Sequence, residues 1–299
     1  MHITLRQLRA FRAVASLGQV QLAAHQLSLS QPATSMAISE LEKQLNCRLF
    51  DRTSNRLVLN PQGIRLLPLA CELLDRSNEI GTLFQQRNQT PSGKLTIGAS
   101  TTIGNYLIPQ VLASHEKNHP GITATLDIQN TSTLINKLAA FDIDIACIEG
   151  PCQHSDMEVI PWLEDELVVF CSPSHPLAGM GNQPISLQDL EDESWILRES
   201  GSGTRMLFDF YIAQHLRHLN IRMELNQTEA IKQLVLAGTG ISCLSRYCIA
   251  RELEQKELVS LALKGCALTR KLSILIHKKK YIGPLLDSLL QQLWQAARS

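Results

Sequence analysis

Leu22-Ala23-Ala24-His25-Gln26-Leu27-Ser28-Leu29-Ser30-Gln31-Pro32-Ala33-Thr34-Ser35-Met36-Ala37-Ile38-Ser39-Glu40-Leu41-Glu42 is the stretch whose reading decides the fold. Small residues at Ala23 and Ala24 let two helices approach closely. Ser30 is a good N-cap, and Pro32 suits a first helical turn, where its missing N–H would be unpaired anyway. Ala33, Ile38, Leu41 and Leu45 then mark the buried face of a helix running to about Leu45. Two close helices joined by a tight turn make a helix-turn-helix, which places the first turn of its second helix in the major groove. Gln31, Pro32, Thr34, Ser35 and Ser39 belong to its expected reading face, where short polar groups hydrogen-bond base edges or phosphates. A small helical bundle packed on a second domain is the plainer alternative.

Outward from this stretch the pattern extends on both sides. Leu5, Leu8, Phe11 and Val14 or Ala15 repeat at helical spacing, Gly18 ends that helix, and a second short helix follows over residues 20–27. Leu49-Phe50 pack back, and Asp51 to Leu59 form two short extended arms around Thr53-Ser54-Asn55, a wing. Arg52 and Arg56 flank it, placed to meet phosphates or to enter the minor groove. The 299 residues carry no formal net charge, but residues 1–60 hold seven basic and three acidic side chains. That excess of +4 leaves −4 for the rest, as expected of a small basic domain with an anionic polymer partner.

From Pro61 to about Arg87 the stripe Ile64, Leu67, Leu69, Leu73, Leu74, Ile80 and Leu83 predicts a long helix. It is too isolated in sequence to belong to a core, and its simplest use is to pair with a second copy of itself. Asn88-Gln89-Thr90-Pro91-Ser92-Gly93 is a polar linker, where the domain boundary is placed. Beyond it strands and helices alternate, which predicts parallel sheets covered by helices. Strands are expected at 95–99, 122–128, 143–148, 167–171, 221–225, 240–244 and 272–276. Helices are expected near 104–118, 132–141, 186–193, 204–216, 228–237, 245–255 and 283–297. The length suits two α/β lobes with a cleft between them. The expected division is 1–60 for DNA binding, 61–92 for the dimerising helix and hinge, and 93–299 for ligand sensing. Within the last, one lobe spans about 93–163 and 266–299 and the other about 164–265.

Two segments are suited to a small anion. Gly98-Ala99-Ser100-Thr101-Thr102-Ile103-Gly104 runs from strand to helix, and Glu199-Ser200-Gly201-Ser202-Gly203-Thr204-Arg205 also leads into a helix. Each offers hydroxyls and open N–H groups at a helix N-terminus, where the dipole favours negative charge. Plain N-capping explains either segment alone, whereas the pair favours a ligand. The candidate effector residues are Ser100, Thr101, Thr102, Thr131, Glu149, Ser202 and Thr204. Glu149, just past a strand end, is expected at the cleft, where it repels an anion unless protonated or separated by water. Asn226 and Glu229 are weaker candidates near the hinge.

No catalytic residue, metal site or cofactor is expected. There is no G-x-S-x-G elbow or P-loop, and Gly201-Ser202-Gly203 and Gly238-Thr239-Gly240 are too short for a dinucleotide fingerprint. His215-x-x-His218 is a lone helical pair, and the eight cysteines form no C-x-x-C. Cys152, in a turn after a strand, is the thiol to watch. The N-terminus lacks a signal-peptide stretch and no run reaches membrane-span length, so the expected compartment is the cytoplasm. A solute-binding or ligand-sensing protein without specific DNA readout is the alternative function. The attached basic domain counts against it.

From end to end the chain resembles the LysR-type transcriptional regulators. The resemblance rests on Thr4-Leu5-Arg6-Gln7-Leu8, on Ser30-Gln31-Pro32-Ala33-x-Ser35, and on Leu49-Phe50-Asp51-Arg52. It implies an all-α winged helix-turn-helix, a dimerising linker helix, and an α/β two-lobed effector domain like periplasmic binding proteins of type II. It also implies a homodimer assembling to a homotetramer on double-stranded DNA, with RNA polymerase a further candidate partner. One departure is Met36, where the family often carries arginine, which shifts the expected readout toward apolar contact and shape. The second domain is especially similar to the YeiE-like and CysB-like branch. The segments involved are Ser100-Thr101-Thr102-Ile103-Gly104-Asn105-Tyr106, Ile148-Glu149-Gly150-Pro151-Cys152, Trp162-Leu163-Glu164-Asp165-Glu166-Leu167 and Gly201-Ser202-Gly203-Thr204-Arg205. That branch implies a small anionic effector, such as the sulfur oxyanions sulfite and sulfate, or a short carboxylate.

Overall fold

The computed structural model describes residues 2–53, 56–85, 91–180, 183–265 and 267–298. The wing tip Ser54-Asn55, the end of the predicted long helix at Arg87, and Asn88-Gln89-Thr90 of the expected linker lie outside the described residues, as does the side chain of Leu83.

The N-terminal domain contains α1 (Leu5–Leu17), α2 (Val20–Gln26), α3 (Gln31–Leu45) and the antiparallel wing strands β1 (Phe50–Thr53) and β2 (Arg56–Leu59). Local sequence sets each boundary. Thr4 and Gln7 cap α1 reciprocally, and Gly18, in the left-handed region at φ +69°, ends it. Ser30 Oγ accepts from the Ala33 N–H at 3.3 Å to open α3. Between α2 and α3 the turn passes through Ser28 at φ +54°, while Ala23 and Ala24 are buried at the helix crossing. Glu42 accepts from the Leu49 N–H at 2.8 Å and from Arg48 at 3.0 Å, which ties the wing's approach to α3.

Asn60 caps the linker helix α4 (Pro61–Gln85), its Oδ1 accepting from the N–H groups of Gln62 and Gly63 at 3.0 Å each. This helix has two faces. Leu67, Ala70, Cys71 and Leu74 join the core made by Leu8, Phe11, Val14 and Leu41. That corrects the expectation of a stripe outside any core: Leu67 and Leu74 are buried in the same cluster as Phe11 and complete the N-terminal domain. Ile64, Leu69, Leu73 and Ile80 face outward at 60%, 57%, 52% and 61% exposure.

The effector domain begins with β3 (Gly93–Ala99), a π-helical turn at Ile103–Leu107 that runs into α5 (Ile108–Asn118), β4 (Ile122–Ile128), α6 (Thr131–Ala139) and β5 (Ile145–Ile148). The strand β6 (Met157–Cys171) leads to β7 (Ser194–Arg198), α7 (Gly203–Tyr211), β8 (Asn220–Leu225) and α8 (Thr228–Leu236). After these come β9 (Ser242–Ser245), α9 (Arg246–Glu254), β10 (Val259–Leu261), β11 (Thr269–His277) and α10 (Pro284–Ala296). One lobe packs β3, β4, β5 and β11 against α5, α6 and α10 around Ile97, Ile103, Ile145, Ile274 and Leu293. The other packs β7 and β9 with α7, α8 and α9 around Trp195, Phe208, Phe170 and Ile231.

The sheets are mixed, not parallel throughout as the alternation suggested. β3 is parallel to β4 and β5, and β7 to β8, but β11 runs antiparallel to β5 and β6, and β6 antiparallel to β9 and β10. The reason is that β6 is 15 residues long and continues through both lobes, so only its second half reads as a separate apolar run. The helix expected at 186–193 is a single 3-10 turn at Leu187–Leu190, capped by Ser186.

Candidate functional site

The recognition helix sorts its residues by its 3.6-residue period. Thr34, Ala37, Ile38 and Leu41 point inward, and Gln31, Pro32, Ser35, Met36 and Ser39 are exposed. Thr34 therefore leaves the DNA-reading set: it is fully buried, and its Oγ1 donates to the Ser30 carbonyl at 3.2 Å. Its period places it one turn before Ile38, on the core side. Arg52 and Arg56 are exposed on the two wing strands. Arg9 and Arg12, counted in the basic excess, instead line a cleft between α1 and the effector domain.

In the effector domain, helix starts converge where the lobes meet. The helix after β3 begins at Thr101, α6 begins at Thr131 behind the Asn130 cap, and α7 begins at Gly203 behind the Ser202 cap. Ser100, Thr101, Thr102, Thr131, Glu149, Ser202 and Thr204 are all buried. The two Gly-Ser-Thr segments meet through Glu149, which accepts from Thr102 of one and Thr204 of the other. Gly150 and Gly203 meet so closely that a Cβ on Gly203 would lie 2.6 Å from the Gly150 nitrogen and 2.9 Å from Thr131 Oγ1. Ser132 Oγ donates to the Gly201 carbonyl at 3.0 Å, Asn130 to Glu199 at 3.3 Å, and Tyr106 to Glu229 at 2.7 Å. The lobes are thus joined by direct hydrogen bonds. Two hydroxyls in this zone, Ser100 Oγ and Thr131 Oγ1, are buried with no hydrogen-bond partner, and Thr228 Oγ1 at the start of α8 is a third. A buried hydroxyl left unpaired costs about 1–3 kcal/mol, so such groups mark places where a ligand atom or a water belongs.

Glu149 behaves differently from expectation. It accepts from the Thr102 N–H at 2.7 Å, from Thr204 Oγ1 at 2.9 Å and from Arg270 at 3.2 Å. Burial pushes its carboxyl up, but Arg270, the Thr102 N–H, Arg198 and the Thr204 hydroxyl outweigh it and hold it down to about 2. The carboxylate is therefore ionised and compensated, and the protonation invoked to relieve repulsion is replaced by pairing with Arg270. Arg270 also pairs with Asp165, whose other oxygen accepts from Ser245 at 2.8 Å.

Sequence reading missed the cations. Arg198, buried at the end of β7, donates to Thr101 Oγ1 at 3.1 Å and to Glu199. Arg270 sits at an inward position of β11, alternating with Leu272. The only available signal was a charge closing an apolar run, Trp195-Ile196-Leu197-Arg198, and one inside the run 268–276. Cys248 donates to Thr102 Oγ1 at 3.6 Å, and burial pushes its thiol up to about 12, which suits an inert group. Cys152 is half-buried against the Leu134 cluster, and no disulfide joins the seven described cysteines. Among the described residues no group of three or more His, Cys, Asp or Glu side chains could hold a metal, and no helix is long and apolar enough to cross a membrane.

Two family models match the chain: the bacterial regulatory helix-turn-helix protein of the lysR family over residues 5–64, and the LysR substrate binding domain over residues 88–298. The chain is 42% identical over 290 residues to the HTH-type transcriptional regulator YeiE of Escherichia coli K12, covering 97% of each. A full-length OxyR variant from Pseudomonas aeruginosa superposes with a TM-score of 0.75 at 22% identity, covering 99% of this chain and 98% of that one. The CcmR regulatory domain of Synechocystis PCC6803, in complex with 2-PG, matches with a TM-score of 0.64 at 29% identity, covering 69% of this chain and 98% of that one.

Proposed function

The chain belongs to the LysR family of bacterial regulatory helix-turn-helix proteins, and on that premise we propose that its two-lobed domain senses a small oxyanion. As a member it is a DNA-binding transcription regulator with an effector-binding domain, not an enzyme. The effector we assign is a sulfur oxyanion such as sulfite or sulfate, or a short carboxylate. The carrying observation is that helix N-termini converge where the lobes meet, and that Ser100 Oγ and Thr131 Oγ1 there are buried without partners. Arg198, 3.1 Å from Thr101 Oγ1, supplies positive charge close by. The tight approach of Gly150 and Gly203 favours a ligand of a few heavy atoms.

In this reading Gln31, Pro32, Ser35 and Ser39 meet the major groove, and Arg52 and Arg56 meet phosphates or the minor groove. Residues 1–60, 61–92 and 93–299 act as the DNA-binding, dimerising and sensing units. The exposed apolar face of α4 pairs with a second copy, and two dimers make the tetramer. Ligand binding changes how tightly the lobes are joined, and so the arrangement of the DNA-binding pairs, beside RNA polymerase in the cytoplasm. Such coupling requires the ligand to bind the two arrangements with different affinity.

A thermal-shift series with sulfite, sulfate, phosphate and acetate tests the ligand class. Stabilisation by an oxyanion in the wild type, lost in Ser100→Ala and in Thr131→Val, is expected. Indifference of the wild type to all four removes the anion assignment.

A further inference from the structure

We propose that residues 277–281, at the far end of β11 from Arg270, form a clasp that ties the movement of the effector lobes to the linker helix α4. The reasoning starts from β11 itself. It carries Arg270 in the cleft network near one end and His277 at the other, eight residues or about 25 Å along the strand. It is paired to β6 from Thr269 to His277, with a register shift between Leu272 and Ser273, and to β5 at Ser273–Leu275. The ladder to β6 makes its two ends move together.

At the His277 end the effector domain touches the DNA-binding module through several separate contacts. The His277 ring lies 4.3 Å from the ring of Phe141, and Phe141 packs against the N-terminal core. Phe141 adopts φ +58°, a strained setting for an aromatic residue, fixed by its N–H to the Leu138 carbonyl at 3.1 Å. Lys280 Nζ lies 2.7 Å from Asp75 of α4 and 2.8 Å from Asp144. Asp144 in turn accepts from the Thr96 N–H of β3 at 2.7 Å. The Tyr281 hydroxyl donates to Glu79 of α4 at 2.7 Å, and the Arg76 guanidinium stacks 4.2 Å above the same ring. One short segment thus grips the linker helix at positions 75, 76 and 79, over just more than one turn.

Beside the clasp a cleft of about 840 Å³ opens between the two modules, with Arg9, Arg12 and Asn78 on the DNA-binding side and Lys94 on the other. Asp142, next to Phe141, accepts a hydrogen bond from Ser16 of α1 and belongs to the joined edge. Modules joined along this edge and separated by the cleft have room to rock about it. The clasp is that edge, and its far end is the strand carrying Arg270.

The clasp rests on the sensing reading only for the stimulus that moves the lobes, so its test moves them by mutation. Hydrogen exchange is measured on four full-length proteins: wild type, Tyr106→Phe, Lys280→Met and the double variant. Tyr106→Phe removes the inter-lobe bond to Glu229 without touching α4. The expected result is a change of about fivefold or more in exchange of amides 72–81 when Lys280 is present, and none when it is Met. An equal change in both backgrounds overturns the clasp, and so does no change in either. Ser132→Ala as a second lobe perturbation and Tyr281→Phe as a second clasp variant guard against local misfolding. In parallel, sulfite is titrated against wild type and Lys280→Met bound to a duplex selected from random sequence by the wild type. Equal thermal shifts with a duplex response only in the wild type support the clasp; a duplex response retained by Lys280→Met overturns it. Absence of a thermal shift in the wild type overturns the anion assignment, and the exchange result then judges the clasp.

Discussion

Arg270 and Glu149 face each other at 3.2 Å with both side chains 1% exposed, one on the strand that runs between the lobes and the other at the end of β5. Arg270 serves a second carboxylate as well, Asp165 of β6. Removing water from three charges is costly, and the cost is offset only because hydrogen bonds from Thr102, Thr204 and Ser245 satisfy the carboxylate oxygens. Deleting one partner leaves an uncompensated charge. Arg270→Met is expected to destabilise the effector domain by about 3–5 kcal/mol, read from denaturant melts.

The same pair sets an acid limit. Glu149 has its carboxyl at about 2 in the folded state against an ordinary 4.5. Its stabilising contribution is therefore complete above pH 4.5 and fades as pH falls toward 2, amounting to about 3 kcal/mol at most. Glu149→Gln is less stable than the wild type near neutrality, and the gap between them is expected to narrow on acidification. A gap that widens instead contradicts the assignment.

On the DNA side, burial separates residues that look alike in sequence. Gln31→Ala is expected to weaken binding to a selected duplex by about 1–3 kcal/mol. Thr34→Val is expected to leave duplex affinity unchanged while lowering domain stability by about 1 kcal/mol through loss of its bond to Ser30. Arg52→Ala should weaken all duplexes alike and reduce the slope of log affinity against log salt by about 1. Fluorescence anisotropy at several salt concentrations reads the affinities, and a denaturant melt of Thr34→Val reads the stability.

Gly203→Ala tests the closeness of the lobes. A methyl there would meet the Gly150 backbone at 2.6 Å, so the lobes must part. Loss of oxyanion-induced stabilisation with the DNA-binding domain still folded is the expected outcome. An unchanged thermal shift would show that the closed arrangement is not the one that holds the ligand.

The outer face of α4 is the candidate dimer surface. Leu73 and Ile80 are more than half exposed on it, while Leu74 on the inner face is buried. Leu73→Glu with Ile80→Glu is expected to lower self-association in sedimentation velocity without lowering the melting temperature of the N-terminal core.

Most of the architecture was readable beforehand because local rules dominate it. Ser30, Pro32 and the apolar spacing announce α3, and Thr4 with Gly18 bounds α1, since caps and periodicity act over a few residues. The Gly-Ser-Thr segments pointed to the cleft for the same reason. What escaped depended on distant partners. The direction of β6 and β11 is decided by strands far away in sequence, so alternation alone misread the sheet. Thr34 reads as an outward polar residue by its type, although the helical period turns it to the core. Arg198 and Arg270 have no local mark, because a charge is buried only where its counter-charges converge.

Sequence alone determined the helix-turn-helix, the long linker helix and the α/β character of the sensing domain, because hydrogen bonds and apolar periods within single elements specify them. Tertiary structure alone decided which face of α4 is core, how Glu149 is neutralised, and that residues 277–281 reach the linker helix. Those outcomes depend on surfaces brought together from positions up to about two hundred residues apart, where burial and charge pairing, not local propensity, set the free energy.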